Sequence, residues 1–291
     1  MSLARLLRRA WDMPPREVVR KALRRARGER GYDLAELLSS SKHMRPQKFQ
    51  DFFNRYQMIL ARTCNWAPID FSEKLVLEIG CGPLLGFGPL AVFLGARAVT
   101  AIEPEFQPQV ARRKEVEERY FLNVYKDLSG LFGQRMPLAE FLDRIWSRIR
   151  VVANPIAGVR VDAPHHVVLS NSCLEHLDPL RDSVQQLRAL CAPDARQMHL
   201  VDFGNHRPTR NPFAGIYSTE PEQYFRTHGR GINLARAPDM LREFRAAGFK
   251  VEIAPYYFFR EFYAEPFLPY WRDRYPDEDL FLKSGLLYTS E

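Results

Sequence analysis

The chain lacks the long apolar segments that membrane-spanning and secreted proteins carry. Although 46% of its 291 residues are hydrophobic, no apolar run approaches the ~18 to 20 residues that a transmembrane helix needs. The N-terminus has neither the apolar core nor the small-residue cleavage site of a secretory signal. We therefore expect a cytoplasmic protein, with peripheral attachment at the inner face of a membrane as an alternative.

Cysteine is scarce as well. The four cysteines are far apart and form no CxxC pair, which argues against a disulfide framework and against a zinc site built on thiolates. The His, Asp and Glu positions show no compact ligand spacing such as HExxH. The sequence therefore predicts no metal site.

Excess positive charge is absent from most of the chain. The net charge is +7, and residues 1–30 hold ten basic and three acidic side chains, so the remainder is neutral. Because the residues after 30 carry no net charge, the chain is not of the class that binds nucleic-acid phosphates over its whole surface. We therefore expect no nucleic-acid partner. Apolar residues within 3–27 recur at helical spacing and predict basic amphipathic helices, which either pack on the body or adsorb to an anionic membrane surface.

Apolar periodicity divides the chain at residue 67. Residues 1–66 predict an N-terminal helical preface, and 67–291 alternate between strand and helix patterns. The predicted strands are 74–80, 98–102, 167–170, 197–203, 249–254 and 285–289, and the predicted helices are 89–94, 106–125, 138–150, 180–190 and 238–247. Such alternation is typical of a doubly wound, Rossmann-like α/β sheet. The insertion at about 104–164 exceeds what a crossover needs, and we expect it to form a helical lid with the preface.

A glycine turn follows the first predicted strand. Gly80, Cys81 and Gly82 lie where a buried strand must turn sharply into a helix, with a ligand passing close to the backbone. Glu103 ends the next strand, where a carboxylate can accept both ribose hydroxyls of an adenosine. Glu78 precedes the glycines, and a carboxylate there repels a pyrophosphate but attracts an ammonium group.

An adenosine with a cationic amino-acid tail is S-adenosylmethionine, and here the chain resembles the class I S-adenosylmethionine-dependent methyltransferases. The resemblance includes the 166–177 segment with its Leu-Glu-His signature and the Ala-Gly-Phe before a late strand. It implies a seven-stranded sheet with an antiparallel last strand. It also implies that Glu78 contacts the cofactor's ammonium, that the backbone around Ser170 and Asn171 lines its methionine side, and that Asp162, or alternatively Asn154, lies beside adenine.

Polar residues after the fifth strand are the candidates for acceptor chemistry. His206 is the first candidate base and Asp202 its orienting partner, although Asp202 could equally cap the following loop. His176 is a further candidate for catalysis, and His228 and Arg236 for acceptor binding.

This stretch is similar to a branch of bacterial methyltransferases associated with polysaccharide and lipopolysaccharide biosynthesis. The resemblance implies O-methylation of a saccharide or glycoconjugate precursor. The alternatives are a small-molecule or lipid methyltransferase and a catalytically silent scaffold in a membrane glycan assembly complex. The oligomeric state stays open.

Overall fold

The computed structural model describes residues 31–160, 163–207, 209–260 and 266–290. Seven strands form one sheet in the order β3-β2-β1-β4-β5-β7-β6. The strands are β1 Leu75–Ile79, β2 Ala98–Ile102, β3 Ile149–Val152, β4 His165–Asn171, β5 Cys191–Asp202, β6 Val251–Phe258 and β7 Leu282–Thr289. β7 runs antiparallel to both of its neighbours, β5 and β6, whereas the pairings among β1 to β5 are parallel. The predicted seven-stranded fold with an antiparallel last strand is confirmed.

Helices cover both faces of this sheet. The helices are α1 Leu34–Ser39, α2 Lys48–Cys64, α3 Gly88–Phe93, α4 Pro108–Ala111, α5 Lys114–Val116, α6 Leu122–Phe132, α7 Leu138–Arg148, α8 Leu180–Ala189, α9 Pro221–His228, α10 Ala237–Ala246, α11 Pro269–Arg272 and α12 Asp277–Phe281. Buried residues of α2, α3, α6 and α7 share one apolar core with Val76 and Leu169, while those of α8 and α10 pack with Leu77 and Val168. Because alternate strand residues point to opposite faces, the two cores lie on opposite sides of the sheet.

Two predicted helices differ in the structure. The 106–125 helix is divided into α4, α5 and a π-helical turn at Glu117–Phe121 that leads into α6, and this turn buries the adjacent rings of Tyr120 and Phe121. The 138–150 helix ends at Arg148, because Ile149 begins β3 and pairs with Val99 of β2. Ile149 continues the apolar stripe of α7, which is why the periodicity assigned it to the helix.

The described part of the preface and the insertion share one apolar core, and Arg119 donates to the carbonyl oxygen of Leu38; their role as a lid stays a prediction. Helix α2 reaches the carboxyl edge of the sheet, where the Tyr56 hydroxyl donates a 2.6 Å hydrogen bond to Oδ1 of Asn171. Helices α6 and α7 instead pack against α3 and against each other. The predicted basic helices of residues 1–30 lie outside the described residues. Among the described ones, no helix is long and apolar enough to cross a membrane.

Candidate active site

The turn after β1 leaves room for a ligand beside one of its glycines. Gly80 and Gly82 have positive φ values of 77° and 64°, which favour glycine because a side chain is strained there. A Cβ on Gly80 would lie 2.7 Å from Sγ of Cys173, whereas a Cβ on Gly82 would meet nothing within 4 Å. Cys81, between them, is buried and points into the protein. Gly82 is therefore the position at which a cofactor can approach the backbone.

Glu103 lies directly beside this open position. One carboxylate oxygen accepts a 2.9 Å hydrogen bond from the backbone N–H of Gly82, and the other accepts one of 3.2 Å from Glu105. The side chain is only partly buried, and a carboxylate has about four lone-pair sites. Acceptor capacity thus remains for two ribose hydroxyls. These features fit the adenosine part of S-adenosylmethionine.

Glu78 lies beneath the same loop rather than in the open space. It is fully buried, and both of its oxygens lie within 3.0 Å of the backbone nitrogen of Phe87, which donates to them. Burial raises the pKa of Glu78 to about 8, although the hydrogen bonds from Phe87 and Gly88 oppose that shift. In this position Glu78 fixes the loop, and its contact with the cofactor's ammonium stays a prediction.

The end of β4 holds the remaining predicted cofactor residues. The Ser170 hydroxyl is buried and lies 2.8 Å from Nδ1 of His199 on β5, so its side chain joins two strands. Asn171 faces α2 through the hydrogen bond from Tyr56. Asp162 lies outside the described residues, and its alternative Asn154 is exposed just beyond β3. The roles of these residues at the cofactor stay predictions.

Two carboxylates converge on His206 at the carboxyl edge of the sheet. Nε2 of His206 lies 3.5 Å from Oδ2 of Asp202 and 3.4 Å from Oε1 of Glu175. Lys283, from β7, contacts the other oxygen of Asp202. Burial alone would raise the pKa of Asp202, but hydrogen bonds from His206 and Lys283 outweigh it and hold this pKa well below its usual range. Asp202 is thus an anion placed to stabilise a protonated His206.

His176 joins the same cluster from the turn after β4. Its ring packs edge-on against that of His206, with the centroids 4.9 Å apart, and burial lowers the pKa of His176. Glu175, its neighbour in the chain, is buried, and burial raises the pKa of Glu175 to about 8. The sequence analysis did not single out Glu175 or Lys283. The Leu-Glu-His signature was a signal for Glu175, but no local pattern marks Lys283.

Two side chains of the 228–236 stretch hold the backbone around this cluster. The Asn233 side chain donates 2.9 Å hydrogen bonds to the carbonyl oxygens of Leu174 and Leu177, which fixes the turn that carries His176. Arg236 is 1% exposed and donates to Phe203 O and to the hydroxyl of Tyr217. Arg236 is consequently buried and fully engaged in the interior, and its role at an acceptor stays a prediction.

Three of the six non-glycine residues with positive φ among the described residues lie at the same edge. Ser172, His206 and Leu234 have φ values of 52°, 51° and 60°, a region that side chains other than glycine rarely adopt. Ser172 follows β4 and His206 follows β5. Leu234 is the residue after Asn233. Such strain persists where the surrounding structure imposes it, and it concentrates at functional sites.

Comparison with known proteins assigns the family. Residues 45–253 match the family model described as a methyltransferase domain, and no curated protein matches the chain. Solved structures with a similar fold include the N-methyltransferase NodS from Bradyrhizobium japonicum WM9 in complex with S-adenosylhomocysteine. It is 12% identical with a TM-score of 0.42, and the match covers 88% of this chain and 94% of that one.

A second similar structure is an S-adenosylmethionine-dependent methyltransferase from Mesorhizobium loti. It is 10% identical with a TM-score of 0.44, and the match covers 80% of this chain and 95% of that one. Similarities at this level indicate nothing about the acceptor. The family match, in contrast, spans the glycine turn, Glu103, Asp202 and His206. The chain belongs to this methyltransferase-domain family and is a class I methyltransferase whose cofactor is S-adenosylmethionine.

Proposed function

We propose that the protein methylates a hydroxyl group of a saccharide or glycoconjugate precursor. The observation that carries this proposal is His206 placed between Asp202 and Glu175. In open α/β sheets, ligands bind at the carboxyl ends of the strands, and His206 directly follows β5. A hydroxyl is the acceptor that gains most from a base at this position, because it must lose its proton as the new bond forms.

In such a reaction His206 would act as the base and Asp202 would stabilise the charge that forms on it. When bound, S-adenosylmethionine supplies a methyl group on a sulfonium, which is already a good leaving group. Because Nε2 of His206 faces Asp202 and Glu175, the other ring nitrogen, Nδ1, would accept the proton of the acceptor hydroxyl while the oxygen–carbon bond forms and the carbon–sulfur bond breaks. Asp202, held as an anion by Lys283, would stabilise the imidazolium that results. The proton ends on His206, and S-adenosylhomocysteine leaves.

Aromatic rings beside this cluster support a saccharide as the acceptor. The carboxyl end of β6 presents Tyr256, Tyr257 and Phe258 at the same edge of the sheet as Asp202, because β6 is parallel to β5 with β7 between them. Tyr257 is 53% exposed and Phe258 is 39% exposed. Both rings offer an apolar face to the C–H groups of a sugar. The hydroxyl of Tyr257 can also hydrogen-bond to the sugar hydroxyls.

A transfer assay tests the proposal directly. The protein is incubated with methyl-labelled S-adenosylmethionine and with bacterial glycolipid and polysaccharide fractions, and label is sought in each fraction. We expect label in a glycan, and His206→Ala to lower the rate by about 10² to 10⁴ fold without changing cofactor affinity. Label that enters only non-glycan lipids or small molecules would refute the saccharide, and full activity of His206→Ala would refute the base.

We also propose that residues 1–30 bring the enzyme to an anionic membrane surface. Their ten basic residues would each add about 1 kcal/mol near such a surface at low salt. Co-sedimentation with vesicles containing anionic lipid compares the full chain with a variant that begins at residue 31. Equal sedimentation of the two at low salt would contradict this role.

A further inference from the structure

A buried carboxylate with little hydrogen bonding lies at the centre of the His206 cluster. The side chain of Glu175 is 3% exposed, and its oxygens make no well-aligned hydrogen bond: their contacts are weak ones with the backbone N–H groups of Glu175 and Asp202 and with Nε2 of His206, 3.4 Å from Oε1. Buried polar atoms in native proteins nearly always have a partner, and a buried anion without one is costly. The Glu175 carboxylate is therefore suited to a cation that binds between it and its neighbours.

Two histidines complete a set of metal-ligand groups around this carboxylate. One donor atom from each of Glu175, His176 and His206 lies within 4.8 Å of the other two. Nδ1 of His176 lies 2.5 Å from the carbonyl oxygen of Gly231. A carbonyl oxygen only accepts, so Nδ1 carries the proton and Nε2 keeps its lone pair. Histidines that bind metals typically donate their second N–H to a carbonyl or carboxylate in this way.

We propose that Glu175, His176 and His206 bind one divalent transition-metal ion. Two imidazoles and one carboxylate favour zinc, cobalt, manganese or iron, whereas calcium and magnesium prefer oxygen ligands alone. Ligand distances of about 2.0 to 2.2 Å require the donors to move together by roughly 1 Å. Both histidines are partly exposed, so their rings have the freedom to do so.

The backbone already holds the ligands at one place. The peptide N–H of Asn233 donates a 2.7 Å hydrogen bond to the carbonyl oxygen of Glu175, and Gly231, two residues earlier, accepts from His176. The Gly231–Asn233 segment thereby fixes two ligands relative to each other. His206, the third, is fixed by its left-handed backbone at φ 51°.

The ion competes with the proposed base. Nε2 of His206 is the nitrogen that faces both carboxylates, whereas Nδ1 would accept the hydroxyl proton. A neutral imidazole that binds an ion through Nε2 carries its proton on Nδ1, so zinc is expected to inhibit methyl transfer. The site itself rests on geometry and not on the proposed function. If zinc instead stimulates transfer, the base assignment fails while the metal site stands.

Cobalt titration of the untagged, metal-stripped protein tests the site. We expect one Co²⁺ per chain, seen as visible d–d absorption that excess Zn²⁺ abolishes, without a thiolate charge-transfer band. Glu175→Gln removes one ligand but keeps the shape of the side chain. His176→Asn removes another ligand, and the side chain it replaces is exposed. Each is expected to weaken Co²⁺ binding by about tenfold or more. His166→Asn is the control, since His166 lies near the opposite end of β4 and bonds to Leu75 N.

Thermal unfolding of each variant establishes that it is folded before its titration is interpreted. Loss of binding in both ligand variants, with His166→Asn unchanged, supports the site. The proposal is overturned if the wild type binds no Co²⁺, or if both ligand variants bind it as the wild type does. Failure of the transfer assay alone leaves these results intact and refutes only the proposed function.

Discussion

A methyl group added at either of two glycines in the same loop is expected to change a different property: folding stability at Gly86 and cofactor affinity at Gly82. Gly86 has a φ of +49°, and a Cβ built on it would lie 1.9 Å from Oε1 of Glu78 and 2.6 Å from its Cδ. Gly82 has a φ of +64° and open space around its Cβ position. Gly86→Ala therefore acts on folding, whereas Gly82→Ala acts on cofactor binding.

The magnitudes follow from these contacts. A left-handed backbone costs a non-glycine residue about 1 to 2 kcal/mol, and this applies to both substitutions. Gly86→Ala adds overpacking against a buried carboxylate, worth about 1 to 3 kcal/mol. We expect its free energy of unfolding to fall by about 2 to 5 kcal/mol, which lowers the melting temperature by roughly 3 to 8 °C for a chain of this size. Gly82→Ala should lose only about 1 to 2 kcal/mol.

Calorimetry separates the two effects. Differential scanning gives the stability of each variant, and titration with S-adenosylhomocysteine gives its affinity. Gly82→Ala is expected to weaken binding by about tenfold or more, since its methyl group occupies space beside Glu103. Gly86→Ala should bind nearly as the wild type does at a temperature where it is folded.

A double-mutant cycle identifies the clash. In a Glu78→Ala background the carboxylate is gone, so Gly86→Ala should there cost only the left-handed backbone. If Gly86→Ala has the same melting temperature as the wild type, Glu78 does not lie beneath residue 86. Undiminished cofactor affinity in Gly82→Ala would show that the open space is not the cofactor's.

Three further substitutions test the fold around the site. Gly130, exposed in α6 with open space at its Cβ position, should gain about 0.5 to 1 kcal/mol of stability as Gly130→Ala, which urea unfolding measures. Glu78 holds a proton up to about pH 8 in the folded state, but only to about 4.5 in the unfolded state. Stability should therefore fall as the pH rises through this window, and urea midpoints should show a weaker fall for Glu78→Gln. Arg236→Lys keeps the charge but loses hydrogen bonds to Phe203 and Tyr217, so we expect about 2 to 3 kcal/mol of destabilisation in the same assay; unchanged stability would contradict the buried role.

The sequence was sufficient for the elements whose signals are local. Apolar runs ending in glycine or flanked by turns predicted β1, β2 and β4, and the glycine pattern predicted the sharp turn at Gly80 and Gly82, which lies beside Glu103. β3 was missed, because Ile149 fits both the stripe of α7 and the ladder with β2. Only pairing with a distant strand decides between the two.

The cluster around His206 was predictable only in part. Asp202 and His206 are close in the chain, so their proximity followed from the end of β5. Glu175 joins them because β4 and β5 are neighbours in the sheet, and Lys283 joins because β7 pairs with β5 in antiparallel register. Ligand spacing along the chain therefore gave no sign of the three-residue metal-ligand set. Glu78 was placed beside the cofactor by its motif, but its exact partner depends on the path of the loop to Phe87.

The position of β7 has a consequence for synthesis of the chain. β7 follows every other strand in sequence, yet it lies between β5 and β6. While a ribosome is still producing residues 282–289, β6 has no partner in the sheet and β5 presents an unpaired edge, a common template for aggregation. The ion pair between Lys283 and Asp202 is also not yet formed at that stage. Nascent chains would thus acquire a complete seven-stranded sheet and a complete His206 cluster in a single late step.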